Sequence, residues 1–309
     1  MSDLHRVRPR GGSGREDRPT SAAGRPELTS SPSRRPCPAC GSRQAAGFGR
    51  RRSPDPADIA TVRCAGCSLV FVDPVPPEAT LPDSYGADYY QPWQGREERA
   101  RARLWKRRLA TIERRSPRGA LLDVGCGDGL FLKVARDAGW SIEGVEFSPE
   151  GARRASQRLG RPVAVGDLAR ERLLMGPFDV MTLWHVLEHL VEPAAMLDAA
   201  RLRLRPGGLL VIAVPNLDNL PLQLAYRLAR RRPMPLYEKG AREPHLSHFN
   251  PSTLAAFLAR RGFGNVEIGP DRCALVPAKR AIDACAAVLS VLSRRLLTDA
   301  MLAFARRPR

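Results

Sequence analysis

From residue 119 onward, short apolar runs alternate with segments whose apolar positions repeat at helical spacing. Ala120–Val124 is an apolar run that ends in a glycine-rich turn, and Leu130, Val134 and Ala138 then recur three to four residues apart. Ile142–Phe147 predicts a second strand, and Ala152, Ala155 and Leu159 a second helix. Val163–Val165 and Val180–Leu183 predict a third and a fourth strand. Met196, Leu197, Ala200 and Leu204 line a helix that Arg205-Pro206-Gly207-Gly208 stops, and Leu209–Val214 is a fifth strand. Strands and helices alternating at this length imply a parallel sheet with helices on both faces, an α/β doubly wound architecture.

After Pro215 the alternation lapses. Residues 216–249 carry scattered Pro and Arg and read as an insertion over the sheet edge. Asn250-Pro251-Ser252 opens a helix, because Asn caps well and Pro suits the first helical position. Leu254, Phe257 and Leu258 give that helix its apolar stripe. Val266–Ile268 and Ala300–Ala305 predict the last two strands, with an apolar helix between them near residues 278–296.

The N-terminal part is different. Residues 1–35 are poor in large apolar side chains and rich in Arg, Gly, Ser and Pro, a composition expected to stay disordered. Residues 36–75 form a small cysteine-bearing unit, and 76–118 a linker followed by a charged helix, roughly Arg96 to Arg114. Leu104, Arg107, Arg108 and Ile112 give that helix one partly apolar face. The linker holds an aromatic stretch, Tyr85 to Trp93. The region 119–309 is the catalytic domain, and the insertion near 216–249 is its expected substrate lid.

The formal net charge is +18, and almost all of the positive charge is Arg. Such a balance is compatible with a nucleic-acid partner. It is equally expected from a GC-rich genome, since the basic residues are spread along the chain. No secretory signal or bilayer-spanning stretch is evident, so the protein is expected to be cytoplasmic. Leu222–Arg232, apolar residues followed by an Arg run, reads as a solvated helix end, with attachment to a membrane surface as the alternative.

The sharpest chemical signal is the turn Asp123-Val124-Gly125-Cys126-Gly127-Asp128-Gly129. Its glycines let the backbone approach a ligand, at a helix N-terminus that offers free N–H groups. The spacing Gly-x-Gly-x-Gly differs from the dinucleotide fingerprint Gly-x-Gly-x-x-Gly. Asp123 would repel a pyrophosphate but accept a hydrogen bond from an ammonium group. Glu146 ends the next strand, where a carboxylate can bind both hydroxyls of a ribose. These details favour S-adenosylmethionine (SAM) over a dinucleotide.

Together these residues resemble the cofactor motifs of the class I SAM-dependent methyltransferases. The resemblance extends in matching order over roughly residues 85–309. It implies a Rossmann-like, mostly parallel seven-stranded sheet, with Gly125, Gly127 and Gly129 against the cofactor. Asp167, in Gly166-Asp167-Leu168, takes the position that contacts the adenine. Trp184 is assigned to the cofactor side as well.

Cys37-Pro38-Ala39-Cys40 and Cys64-Ala65-Gly66-Cys67 are two C-x-x-C knuckles. Two such knuckles complete a tetrahedral site for a structural Zn²⁺; chance pairs or a redox couple are the alternatives. The arrangement resembles a bacterial branch of these methyltransferases with an N-terminal zinc ribbon-like element. Many of those relatives modify sugars, polysaccharide precursors or natural products.

Four of the five histidines fall in two places expected to border the site: His185 and His189 with Glu188, and His245 with His248. If the first segment is helical, His185, Glu188 and His189 share one face. The cluster can supply a general base for a hydroxyl acceptor, hold a divalent metal, or simply anchor the loop. The resulting expectation is methyl transfer to a hydroxyl, less readily to carbon or amine, of a small-molecule or saccharide substrate. An RNA methyltransferase and a non-catalytic zinc-bearing adaptor are the competing readings. The oligomeric state is not legible.

Overall fold

A computed structural model describes residues 5–6, 31–33, 35–48, 59–76, 96–170, 176–238 and 244–309. The aromatic stretch Tyr85–Trp93 lies outside the described residues, as do part of the insertion and most of the segment expected to be disordered.

The chain forms two sheets. The small one contains β2 (Ser31–Pro32), β3 (Gln44–Gly47), β4 (Ala60–Cys64) and β5 (Val70–Asp73). The large one is built on β6 (Ala120–Val124), β7 (Ser141–Glu146), β8 (Ala164–Val165), β9 (Phe178–Trp184), β10 (Leu204–Pro215), β12 (Gly264–Asp271) and β13 (Ala300–Arg306). Its order is β12-β13-β10-β9-β6-β7-β8. Strands β6 to β10 are parallel, while β12 and β13 run antiparallel to their neighbours. The seven expected strands are all present, and a two-residue strand β1 (His5–Arg6) adds an eighth at the edge beside β12. The cysteine-bearing sheet begins at Ser31, earlier than the expected residue 36.

Alternation along the strands assigns each side chain to one of two cores. Leu121, Val180, Leu209, Val211 and Ala213 face α1 (Arg96–Glu113), α2 (Leu130–Asp137) and α3 (Pro149–Leu159). Leu122, Met181, Leu210, Ile212 and Val214 face α4 (Pro193–Arg203) and α6 (Pro251–Arg260). A strand buried on both faces must be continuously apolar, which is why β10 reads Leu209 to Val214 without a polar break.

The local signals explain the helix starts. Asn250 Oδ1 accepts from Thr253 N at 2.9 Å, and Asn250 N donates to Thr253 Oγ1 at 2.9 Å, a reciprocal cap behind Pro251. Ser148 caps α3 by accepting from Gly151 N.

Three expectations need correction. Arg205-Pro206-Gly207-Gly208 does not form a turn ahead of the strand: β10 starts at Leu204, and the four residues make a bulge between two pairings to β9. The insertion, read as irregular with only a solvated helix end at Leu222–Arg232, contains a full helix, α5 (Leu220–Arg230). The segment at Leu187–His189 is a single 3₁₀ turn preceded by His185 at φ 56, so no α-helical face is formed there. Helix α7 (Pro277–Ser293) follows β12 as expected.

A two-residue strand from the insertion, β11 (Ser247–His248), pairs with β5 of the small sheet. Cys37, Cys64, Leu69 and Phe71 pack in the same apolar core as Phe249 and Leu187. The cysteine-bearing unit is therefore seated on the catalytic domain beside its histidines.

Candidate active site

A cavity of about 880 Å³ opens at the carboxyl ends of the parallel strands. Both the glycine turn and the histidine cluster line it. This is the topological switch point, because the chain leaves β6 in one direction along the sheet and reaches β9 in the other.

The glycine turn is tight for steric reasons. Gly125 has φ +70, and a Cβ there would lie 2.6 Å from Val186 Cγ2. Gly129 has φ +73, and a Cβ there would lie 3.0 Å from the Ala155 backbone. Gly127 N donates to Glu146 Oε2 at 2.7 Å, and Ser148 N donates to Oε1 at 2.9 Å. Each carboxylate oxygen keeps a further acceptor direction for a ligand hydroxyl. Asp123 is buried and accepts from Thr182 Oγ1 at 2.6 Å. Burial pushes its carboxyl up to about 8, against the Thr182 hydrogen bond. A cationic ligand would restore its ionisation, so the donor set fits an ammonium group. Asp167 Oδ1 accepts from Ala169 N at 2.9 Å at the rim of the same cavity. Trp184 packs against Trp105 and Phe131 with centroids 5.4 and 5.1 Å away.

Residues whose role was not legible in the sequence hold this frame together. Arg101 of α1 forms a two-bond pair with Asp128 of the glycine turn, at 3.0 and 2.8 Å. Arg108 is buried between the rings of Trp105 and Trp184, 4.8 and 4.7 Å from their centroids, and pairs with Asp271 of β12. Its only signal was its place on the apolar face of α1. Replacing Arg108 with Met would leave buried Asp271 with only the more distant His185, 3.8 Å away. This change is expected to cost about 3–5 kcal/mol in urea unfolding, and a loss below 1 kcal/mol would show the pair to be solvated.

The histidines differ from one another. His185 lies between two carboxylates: Nδ1 is 3.4 Å from Glu188 Oε1, and Nε2 is 3.8 Å from Asp271 Oδ2. Burial works to lower its pKa, but the Cys273 thiol and Glu188 outweigh it and raise it to about 10. His189 Nδ1 lies 3.2 Å from the Pro244 carbonyl oxygen. A carbonyl accepts only, so this nitrogen carries the proton and Nε2 presents a lone pair. Burial lowers His245 to about 4 and His248 to about 3, so both are neutral imidazoles at pH 7. The His189 and His245 rings meet edge to face, centroids 4.8 Å apart. Glu188 is 1% exposed; burial favours its neutral form, but His185, His189 and His245 hold its pKa below the usual range. Glu188, His189 and His245 each offer a ligand atom within 4.8 Å of the others, close enough to share one cation.

The four cysteines of the knuckles also converge, with all four sulfurs within 4.8 Å of one another. Cys37 Sγ lies 3.5 Å from Cys67 Sγ, and Cys40 Sγ 3.5 Å from Cys64 Sγ. The bond to Cys37 pulls the Cys67 thiol down to about 5. Four convergent sulfurs, one already biased to thiolate, fit a tetrahedral zinc site.

A doubly wound sheet in this strand order, with a glycine turn and an acidic second strand end beneath an open cavity, defines a SAM-dependent methyltransferase. A family model described as "Methyltransferase domain" matches residues 95–268. The chain is 32% identical over 165 residues to the ubiquinone biosynthesis O-methyltransferase of Xylella fastidiosa, an alignment covering 50% of this chain and 65% of that one. It is 34% identical over 163 residues to the protein of the same name from Xanthomonas axonopodis pv. citri, covering 48% and 64%. The chain thus spans slightly less than two thirds of these relatives. Among solved structures, phosphoethanolamine N-methyltransferase 2 of Haemonchus contortus, in complex with S-adenosyl-L-methionine, superposes with a TM-score of 0.51 at 14% identity, covering 78% of this chain and 63% of that one. A SAM-dependent methyltransferase from Thermotoga maritima gives 0.50 at 15% identity, covering 73% and 98%. At these identities the likeness concerns the fold. The chain belongs to the class I SAM-dependent methyltransferase family.

Proposed function

We propose that this protein transfers the methyl group of SAM to a hydroxyl oxygen of a small, largely apolar acceptor. The observation that carries the reading is the fixed tautomer of His189: its Nδ1 faces the Pro244 carbonyl, which leaves Nε2 free to accept a proton. A hydroxyl needs such a base as it attacks, whereas a free amine does not. The relatives titled O-methyltransferase support oxygen as the acceptor atom. The cavity wall opposite the glycine turn carries Leu190, Met196, Leu222, Met234 and Leu236. That apolar lining favours a ring bearing hydroxyls, such as a phenol, over a saccharide that would leave its polar groups unpaired.

SAM supplies an electrophilic methyl on a sulfonium. The residues that would hold it are Asp123 for the ammonium group, Glu146 for the ribose and Asp167 near the adenine, with Gly125, Gly127 and Gly129 allowing close approach and Trp184 as a wall. Displacement at the methyl is in line, so most of the rate gain comes from alignment. His189 takes the hydroxyl proton. His185, already protonated and engaged on both sides, positions Glu188. His245 and His248 complete the polar edge. Cys37, Cys40, Cys64 and Cys67 would hold a structural zinc, away from the reacting atoms.

The test is transfer of labelled methyl from SAM to a panel of phenols, catechols, sugars, amines and RNA. Label on phenolic or catecholic oxygen, lost in Glu146→Ala together with at least about tenfold of SAM affinity, supports the reading. Label on RNA or on amines alone overturns it.

A further inference from the structure

Helices α5 and α7 pack side by side on the flank of the cavity. No residue of α5 is buried. Leu220, Leu224 and Leu228 recur every four residues along it and are exposed, Leu228 at 72%. On α7, Val288, Val291 and Leu292 are likewise exposed, Leu292 at 76%. Among the described residues, most of the large exposed apolar side chains fall on or beside these two helices. Single exposed leucines need no explanation, but a concentration of them does.

The charges at this face are mostly positive, with Glu238 paired to Arg232 at 3.5 Å and Asp299 to Lys279 at 3.3 Å. From Leu220 to Tyr237 there is no acidic residue, while Arg227, Arg230, Arg231 and Arg232 follow the leucine stripe. Helix α7 contains a single acidic residue, Asp283, which is buried, and it ends at Arg294 and Arg295. Arg227, Arg230, Arg231, Arg294 and Arg295 are all exposed.

We propose that the exposed face of α5 and α7 docks on the surface of an anionic lipid bilayer. Leucines on a helix surface enter the acyl boundary, and the arginines around them meet anionic headgroups. A second copy of the chain is a poorer occupant, because a self-complementary interface would bring Arg227, Arg230, Arg231, Arg294 and Arg295 toward one another, while Glu238 and Asp299 already pair with Arg232 and Lys279. The same helices also reach inward: Leu222 and Gln223 of α5 and Lys279 of α7 line the cavity. An acceptor with a hydrocarbon tail can therefore pass from the bilayer into the site, a consequence that rests on the small-molecule reading above, whereas the docking itself does not.

The experiment is co-flotation of the full chain with phosphatidylcholine vesicles, with and without phosphatidylglycerol. Binding is expected with the anionic vesicles. The combined Leu224→Ser, Leu228→Ser and Leu292→Ser variant keeps every arginine, so loss of binding reports on the apolar face and not on basic charge elsewhere. It is expected to lower the bound fraction roughly tenfold or more with SAM affinity unchanged. Arg230→Gln with Arg231→Gln is expected to weaken the preference for phosphatidylglycerol. Failure to float with anionic vesicles would overturn the proposal, as would undiminished binding in the leucine variant. So would a dimer, measured by light scattering, that the leucine substitutions dissociate. Methyl transfer is assayed separately with a soluble acceptor, so a failure of the catalytic reading leaves the flotation result standing.

Discussion

Replacing His189 with Ala is expected to lower kcat for methyl transfer by about 10²- to 10³-fold, with the dissociation constant for SAM unchanged. The reason is geometric. The Pro244 carbonyl at 3.2 Å fixes the proton on Nδ1, so the other nitrogen is a ready acceptor beside the cavity. The other histidines do not replace it. His185 holds its proton through neutral pH between the carboxylates of Glu188 and Asp271. His248 is 8% exposed and lowered to about 3, a weak base with little access to a substrate. His245 also lines the cavity, but burial lowers it to about 4, so it is a weaker base. The expected loss corresponds to about 3–4 kcal/mol of transition-state stabilisation. It should fall on kcat and not on KM, because the proton moves only as the methyl is transferred. His185→Ala is expected to act differently: it frees Glu188 and disturbs the site around Arg108, so KM should rise as well. An unchanged kcat in His189→Ala would remove the base from this site and leave alignment alone to carry the reaction.

The parts of this site that were legible in the sequence are those whose logic is local. The glycine turn announces itself because positive φ at Gly125 and Gly129 and the clash a side chain would meet leave only glycine. Glu146 follows one strand later for the same reason, since its carboxylate grips the turn's own amide at Gly127. The parallel sheet with helices on both faces follows from the alternation of elements, while the insertion of antiparallel β13 between β10 and β12 does not. What could not be read depends on residues distant in the chain. Arg108 and Asp271 are separated by 163 positions, and on sequence alone Arg108 is one of many arginines on a charged helix. The proton of His189 is set by a carbonyl 55 residues away. Helix α5 was legible only as a solvated helix end, because its leucines face outward, a pattern no core demands. Arg205-Pro206-Gly207-Gly208 reads as a helix stop, but the helix has already ended at Arg203 and the strand has begun at Leu204, which depends on its pairing to Phe178.

The pairing of β5 with β11 was equally invisible, and it joins the cysteines to the histidines. Val70 and Phe71 pair with His248 and Ser247, and Val72 N donates to Leu246 O at 2.9 Å. Leu246 N in turn donates to Glu188 O at 2.7 Å. His245 and His248 thus sit on either side of a segment clamped between the cysteine-bearing sheet and the turn that carries Glu188 and His189. A unit this small buries too little to hold its own sheet, so the cysteine site must supply the difference. Stripping metal with a chelator, or substituting Cys40→Ser and Cys67→Ser together, is therefore expected to melt the small sheet and lower turnover by at least about 10²-fold. The large sheet would persist, because its other face packs in a core that contains none of the knuckle residues. SAM affinity should accordingly change by less than about tenfold. Hydrogen exchange separates this outcome from general unfolding: protection of Val72 and Leu246 should vanish while that of Val124 and Val211 stays. Bound zinc, counted by mass spectrometry, should fall from one per chain to none in step with activity. If the metal-free protein keeps its turnover and its protected β11 amides, the small sheet is held by packing on Phe249 and Leu187 alone, and the histidine loop does not depend on the cysteines.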